Sequence, residues 1–575
     1  MRAAARSIPA SAAARALAAL SACAATALAL AACGSTSTSG SSVDPATAVP
    51  ASAALYAGAD VRPSGAEQSG ALAAGKALTH QANPYLRLLG ALQTPGSPQL
   101  RYAQDVAPWL GPHAGIFLTS LGSSAALTGL LQQGLLGAAS ASASLFPFGA
   151  GGVQGALILD TSDAGKAQSF LNGQAKHAGA HASSYHGVSF QISSSGVAFA
   201  LVHRLAVIGS EAGVRGVIDT TAGGASLASS GSYAKLAGAA PAGALAHVYS
   251  NPAASGGGDA GGGAAGLLAL LAGARPANIS LLAKAGSVSL DADTLASPST
   301  PGGLISADPE GAAALGELPS DSWLALGLGH AGASLAQDVQ GLGAIAALAG
   351  AGSSGSAGAS PLNVKSLLEA MLAPLKVLGG PSAQARRDFA SWMGSAAVFA
   401  SGGSLLELKA AIVISSKSPA SSRAAVAKLA AQLRPAGGSL RPVQIAGTDA
   451  AIGVALPGLP VVLDIADGRD ANGHTKFVLG FAEASVTDAL HPASTLASAP
   501  PRAAAVAALG EGIQPSLMLD FPTLLSLLEG VGLTEDPSIS KFVPYVHAAT
   551  TLSAGARTSG GEVQRFRLVL GLQGG

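Results

Sequence analysis

Cysteine is almost missing. Two occur in 575 residues, Cys23 and Cys33, and nothing beyond position 33 carries a thiol. The long remainder therefore has no disulfide framework, no thiol nucleophile and no cysteine-ligated metal. Charge is scarce too, at 11% against about 25% in an average protein. Lys+Arg and Asp+Glu number 31 each, so the net charge is zero. That balance offers no basic field to a nucleic acid and no block of like charge. Long apolar runs are lacking past the N-terminal segment. The richest stretches, 266–274 and 342–351, fall well short of the roughly 20 residues a membrane helix needs.

The N-terminal segment itself has three parts. Arg2, Arg6 and Arg15 give a positive start. A run of Ala and Leu over 16–30 follows, broken only by Ser21, Cys23 and Thr26. It is too short and too flanked by small residues for a good membrane span, and it reads as the apolar core of an export signal. Then comes "LALAACGSTSTSG". Leu30-Ala31-Ala32-Cys33 behind such a signal resembles the lipobox of bacterial lipoproteins. The resemblance implies cleavage before Cys33, a diacylglycerol on its thiol and acylation of the new amino terminus. An ordinary secretory signal that happens to hold a cysteine is the competing reading. Each buried CH₂ contributes about 0.8 kcal/mol and one chain alone holds only marginally, so an anchor of two or three chains is the durable form. Residues 34–48 are Gly, Ser, Thr and Ala with few others, a flexible tether spanning about 20 Å. The expected order is a signal peptide at 1–32, a tether at 33–48, and a body beside the extracytoplasmic face of the cell membrane.

The body repeats itself. "VPASAALYAGADV" from Val49 answers to "LPSDSWLALGLGH" from Leu318. "APWLGPHAGIF" with Trp109 answers to "ASWMGSAAVF" with Trp392. "LAVIGSEAGVRGVID" answers to "KFVLGFAEASVTDAL", and Leu227 in "SLASSGSYAKL" to Leu496 in "TLASAPPRAAA". The matches keep one order, at separations of 269 to 283 residues. Such self-similarity argues for internal duplication, with repeats at 49–298 and 299–575. "ASPSTPGG", 296–303, reads as the joint. A Leu-rich insertion, 121–151, interrupts the first repeat and suits a lid, a docking helix or a helix packed on its own domain.

Within the first repeat, strands are expected at 54–61, 115–119, 155–160, 188–192, 197–202, 205–209, 246–250, 279–285 and 287–293. Helices are expected at 163–178, capped by Asp163, and at 212–220 and 232–239. Part of this order is β-α-β-β-α-β, that of a ferredoxin-like unit. The expected fold class is therefore α+β: two duplicated halves, each a mainly antiparallel sheet with helices packed on one face. A glycine two residues after each tryptophan is expected to take positive φ and turn the chain into a strand.

The Pro-led opening strand, the "APWLGPHAGIF" turn, the "YHGV" segment and "SLASSGSYAKL" together resemble bacterial domain-of-unknown-function family 3352. Its members are often secreted or lipid-anchored. The resemblance implies no established activity and assigns no catalytic residue.

Three patterns invite chemistry. Ser232/Lys235 and Ser538/Lys541 match SxxK, in which a lysine activates a serine on one helix face. A Ser-rich chain produces such pairs by chance, and no SDN, KTG or GxSxG partner motif accompanies them. His177 and His181 have the i, i+4 spacing that holds zinc on a helix, with His186 nearby. Gly179 and the Ser pair instead end the helix there. Asp464, Asp467, Asp470 and Asn472 faintly resemble a calcium loop but lack the closing Glu, so a polar hairpin turn is the better reading. The functional expectation is a non-enzymatic, lipid-anchored envelope protein acting as an interaction or structural module, with Cys33 its one modified residue. No catalytic residue, metal or cofactor is expected. Expected partners are the membrane and an envelope protein, and not nucleic acid. A carrier for an apolar ligand is the second reading and a hydrolase the third.

Overall fold

The computed structural model describes residues 42–79, 99–120, 154–251, 275–295, 309–332, 390–404, 406–433, 439–455, 462–530, 534, 543–559 and 562–573. Cys33, the signal segment, the insertion 121–151, the joint near 300, and Ser538 with Lys541 lie outside them. The chain divides into two compact units, one built on the described residues up to 295 together with 562–563 and 572–573, the other on those of 309–559 and 564–571.

The first unit opens earlier than the tether reading expects. Asp44 caps a short turn at Pro45–Thr47, its carboxylate accepting the Ala46 amide at 2.9 Å. Ala46, Ala48 and Val49 are fully buried. The Leu227 amide donates to the Val49 carbonyl at 2.7 Å and fastens the segment. Apolar side chains thus pull residues 44–48 into the body. The elements that follow are β1 (Leu55–Asp60), α1 (Gly65–Thr79), β2 (Leu110–Ser120), β3 (Gln154–Thr161), α2 (Ala164–His177), β4 (His181–Tyr185), β5 (Val188–Ile192), β6 (Val197–Val202) and β7 (Leu205–Ser210). After them come α3 (Glu211–Thr221), α4 (Gly231–Ala239), β8 (Ala246–Ser250), β9 (Ala277–Lys284) and β10 (Ser287–Leu295). The ladders are antiparallel and give the spatial order β10-β9-β8-β1-β2-β3-β7-β6-β5-β4. Leu118 lies opposite Gly155, so the strands flanking the insertion pair directly.

The second unit comprises α5 (Pro309–Gly316), β11 (Ser322–Leu328), β12 (Met393–Ser401), β13 (Lys409–Ser416), α6 (Pro419–Leu433), β14 (Ser439–Pro442), β15 (Thr448–Ala455), β16 (Val462–Arg469) and β17 (Thr475–Phe481). It continues with α7 (Ala482–Leu490), α8 (Pro500–Leu509), β18 (Gln514–Asp520), α9 (Phe521–Gly530), α10 (Val543–Ala548), β19 (Ala549–Ser559) and β20 (Val563–Leu572). Its order is β20-β19-β18-β11-β12-β13-β17-β16-β15-β14.

The expected fold class is overturned. Within each unit the ten described strands form an antiparallel sheet that is not ferredoxin-like. The ferredoxin-like order fails because β8, read as its closing strand, pairs with β1 and β9 instead of returning beside β3. It fails also because 181–185, given no element in the sequence reading, is strand β4. Helices on one face fail because the strands are apolar on both faces. In β3, Ile158 packs with Val214, Val217 and Ile218 of α3, while Leu159 packs with Ala167, Leu171 and Ala175 of α2. In β13, Ile412 and Ile414 meet Val426 and Leu429 of α6, while Ala411 and Val413 meet Val486 of α7 and Leu315 of α5. Successive side chains point to opposite faces, so each sheet face needs its own helix layer.

Trp109 and Trp392 both sit in turns that lead into strands. Trp109 precedes β2, is 2% exposed, and its carbonyl accepts the Ser162 amide just past β3. Trp392 precedes β12, is 3% exposed, and its carbonyl accepts the Lys417 amide just past β13. The glycine expectation is corrected, since neither Gly111 nor Gly394 has positive φ. Gly111 is required for space: a Cβ there would overlap the Asp160 carboxylate.

Candidate functional site

The structure separates the residues that the sequence suggested for chemistry. Ser232, near the start of α4, has its hydroxyl 2.8 Å from that of Tyr249. Lys235 points to Glu562, Nζ to Oε2 3.1 Å, in an exposed pair. Serine and lysine are each engaged elsewhere. His177 closes α2, His181 opens β4, and His186 sits in the β4–β5 turn at φ 48°, 3.6 Å from Asp219. The i, i+4 helical spacing is therefore never formed, and no cluster with metal-ligand geometry occurs among the described residues. Asp464 and Asp467, three apart on β16, face opposite sides of the sheet. Asp467 accepts the Ser422 hydroxyl at 2.6 Å. Asp470 accepts the amides of Asn472 and His474, both at 2.9 Å, and so closes a hairpin turn.

Three features escaped the sequence reading. The first is Asp160 at the end of β3. It is 1% exposed, with the backbone of Val43 and Thr161 against its carboxylate. Burial raises its pKa, while the nearby Arg204 charge pulls it the other way. The signal was in plain view, an acid closing the apolar run "GALILD".

The second is an aromatic cluster of Tyr56, Tyr233, Tyr249 and His247. Tyr233 meets Tyr249 edge to face with centroids 5.2 Å apart, and its hydroxyl lies 3.2 Å from His247 Nε2. Gly58, opposite His247 across the β1–β8 ladder, leaves room for the imidazole. Burial holds the His247 pKa below its usual value, with Asp44 pulling it up. The sign follows. The unfolded chain protonates this histidine at about pH 6.5, and the folded chain only at lower pH. The first unit should therefore lose stability as pH falls through about 6.5, and His247→Gln should flatten that loss. Thermal melts across this range check it; parallel curves for the two proteins would exclude His247 as the source.

The third is an open groove of about 610 Å³ between α2 and a turn at Tyr102–Val106. The turn ends on Trp109, whose indole N–H donates to the Asp105 carbonyl at 2.8 Å. Its ring packs on Phe170 of α2, centroids 5.0 Å apart. This pair forms the apolar floor. Arg101 and Gln104 rise on one side, Lys166 and His177 on the other. The buried side of α2 carries Ala167, Leu171 and Ala175. The groove side is the adjacent stripe of Lys166, Phe170, Gly173 and His177, and the buried Gln174 belongs to both, so one amphipathic helix serves core and groove.

A family model described as a protein of unknown function, DUF3352, matches residues 12–523. The chain belongs to this family. The match runs through the first unit and, in the second, as far as the start of α9. No curated protein and no solved structure matches the chain. Family membership thus brings no activity to any of the three features above.

Proposed function

We propose that this DUF3352 protein is a lipid-anchored envelope protein that works as a non-enzymatic interaction or structural module, held to the extracytoplasmic face of the membrane through Cys33. The observation that carries the second half of this reading is the packing of helices on the sheet. Gly213 of α3 lies so close to β3 that a Cβ would fall on the Gly155 carbonyl. Gly327 of β11 and Gly311 of α5 stand in the same relation. Backbones at glycine contact leave no room between those layers for a buried apolar cargo. That argues against the carrier alternative at these interfaces. The diversion of Ser232 and Lys235 to other partners argues against a hydrolase.

The two units also support a proposal about origin. Counting from each first strand, the ten strands of both follow one spatial order, and Trp109 and Trp392 make the same carbonyl contact to the residue after the third strand. We read this as duplication of a ten-stranded ancestor.

The anchor is tested by Cys33→Ser in cells supplied with a labelled fatty acid. The wild type should incorporate label and run as the processed form. The variant should incorporate none and accumulate uncut. A processed, acylated Cys33→Ser protein would refute the lipobox reading.

A further inference from the structure

We propose that the groove between the Tyr102–Val106 turn and α2 binds a small amphiphilic anion, an apolar chain or ring bearing one carboxylate or phosphate. Its size is right, since ligand clefts span roughly 300–1,000 Å³ and this one holds about 610 Å³. Its floor is apolar and its rim supplies donors. Arg101, Lys166 and His177 line it against a single acid, Asp105. That acid is already engaged, accepting the Arg101 amide at 2.7 Å and forming an ion pair with the Arg101 Nε at 3.9 Å. Lys166 rests on Asp163 at 2.9 Å, with the two side chains 62% and 38% exposed. Exposed pairs of this kind are weak, so both cations are free to turn to an incoming anion.

Gly173 supplies the independent observation. It lies in the interior of α2, where glycine is the poorest residue after proline. Its φ is not positive, and a Cβ built there meets nothing within 4 Å. Neither backbone conformation nor packing explains it. The position is exposed and borders the groove, so a side chain there would stand in the open space beside it.

The probes are laurate and dodecyl phosphate below their micelle concentrations, dodecanol as the uncharged control, and vesicles of phosphatidylglycerol. The protein is the full chain carrying Cys33→Ser, so that no acyl chain of its own competes. Titration by calorimetry should show saturable one-site binding of the two anions. Gly173→Leu should weaken it at least tenfold with the melting temperature unchanged or raised. Arg101→Gln combined with Lys166→Gln should weaken it at least tenfold, and dodecanol should bind at least tenfold more weakly than laurate. Absence of saturable binding up to millimolar anion would overturn the proposal. So would equal binding by Gly173→Leu, or equal binding of dodecanol. Binding to vesicles without binding of the free anions would assign the charge to a bilayer surface and likewise overturn it.

Discussion

Trp392→Ala is expected to destabilise the second unit by about 3–5 kcal/mol, and Trp109→Ala the first unit by a similar amount. Each indole is almost fully buried and roofs a helix–sheet layer. Trp392 packs on Phe477 of β17 with centroids 5.2 Å apart and belongs to the cluster built on α6. Trp109 packs on Phe170 and belongs to the cluster built on α2. Truncation leaves a cavity that the neighbouring backbone cannot close, because the Trp carbonyl in each case is also fixed to the next strand's end. The loss should be local. Hydrogen exchange should quicken in β12 and β13 for Trp392→Ala, and in β2 and β3 for Trp109→Ala. An equal loss of protection in both units from either change would contradict the assignment of each ring to its own core.

How much of this was legible in the sequence depends on how local the deciding contact is. Helix α2 was expected at 163–178 with Asp163 as its cap, and it runs Ala164–His177 with that carboxylate accepting the Lys166 amide at 3.0 Å. Strands β5, β6 and β8 fall at the expected residues. Those elements are set by alternation and caps within a few residues. The layering was misread although its signal was present. "GALILD" is apolar at consecutive positions, the mark of a strand covered on both faces, and one-faced packing was assumed instead. Strand β4 was missed because "HASSY" is an edge strand with exposed polar side chains and no alternation to read. The candidate groove was not legible at all. It needs Arg101 beside His177, and no local pattern encodes a contact between a turn and a helix so far apart in the chain.

Glu511→Gln is expected to cost the second unit about 2 kcal/mol at neutral pH, below the 3–5 kcal/mol typical of a fully buried broken pair because this carboxylate is 38% exposed. The residue stands in a turn between α8 and β18 where Gly510, Glu511 and Gly512 have φ of 62°, 51° and 72°. A non-glycine residue held in the left-handed region needs compensation from its surroundings, and here three arginines supply it. Arg565 and Arg567, two apart on β20, share a face, and Arg557 reaches across from β19. Arg567 Nη2 donates to Glu511 Oε1 at 3.0 Å, Arg565 Nη1 to Oε2 at 3.4 Å, and Arg557 joins Oε2 as well. Arg567 also donates to the Leu509 carbonyl at 2.7 Å, which ties the turn to the sheet. Burial alone would raise the Glu511 pKa, but the hydrogen bond from Arg567 and the three positive charges outweigh it and hold the carboxyl below its usual range. A depressed folded pKa means stability that is present above the unfolded value, about 4.3, and lost as pH falls through the folded value. The gap between wild type and Glu511→Gln should therefore be full at pH 7 and shrink below about pH 4. Chemical denaturation at several pH values measures it. A gap that stays constant into acid would show that the carboxylate's shape, and not its charge, holds the three arginines together.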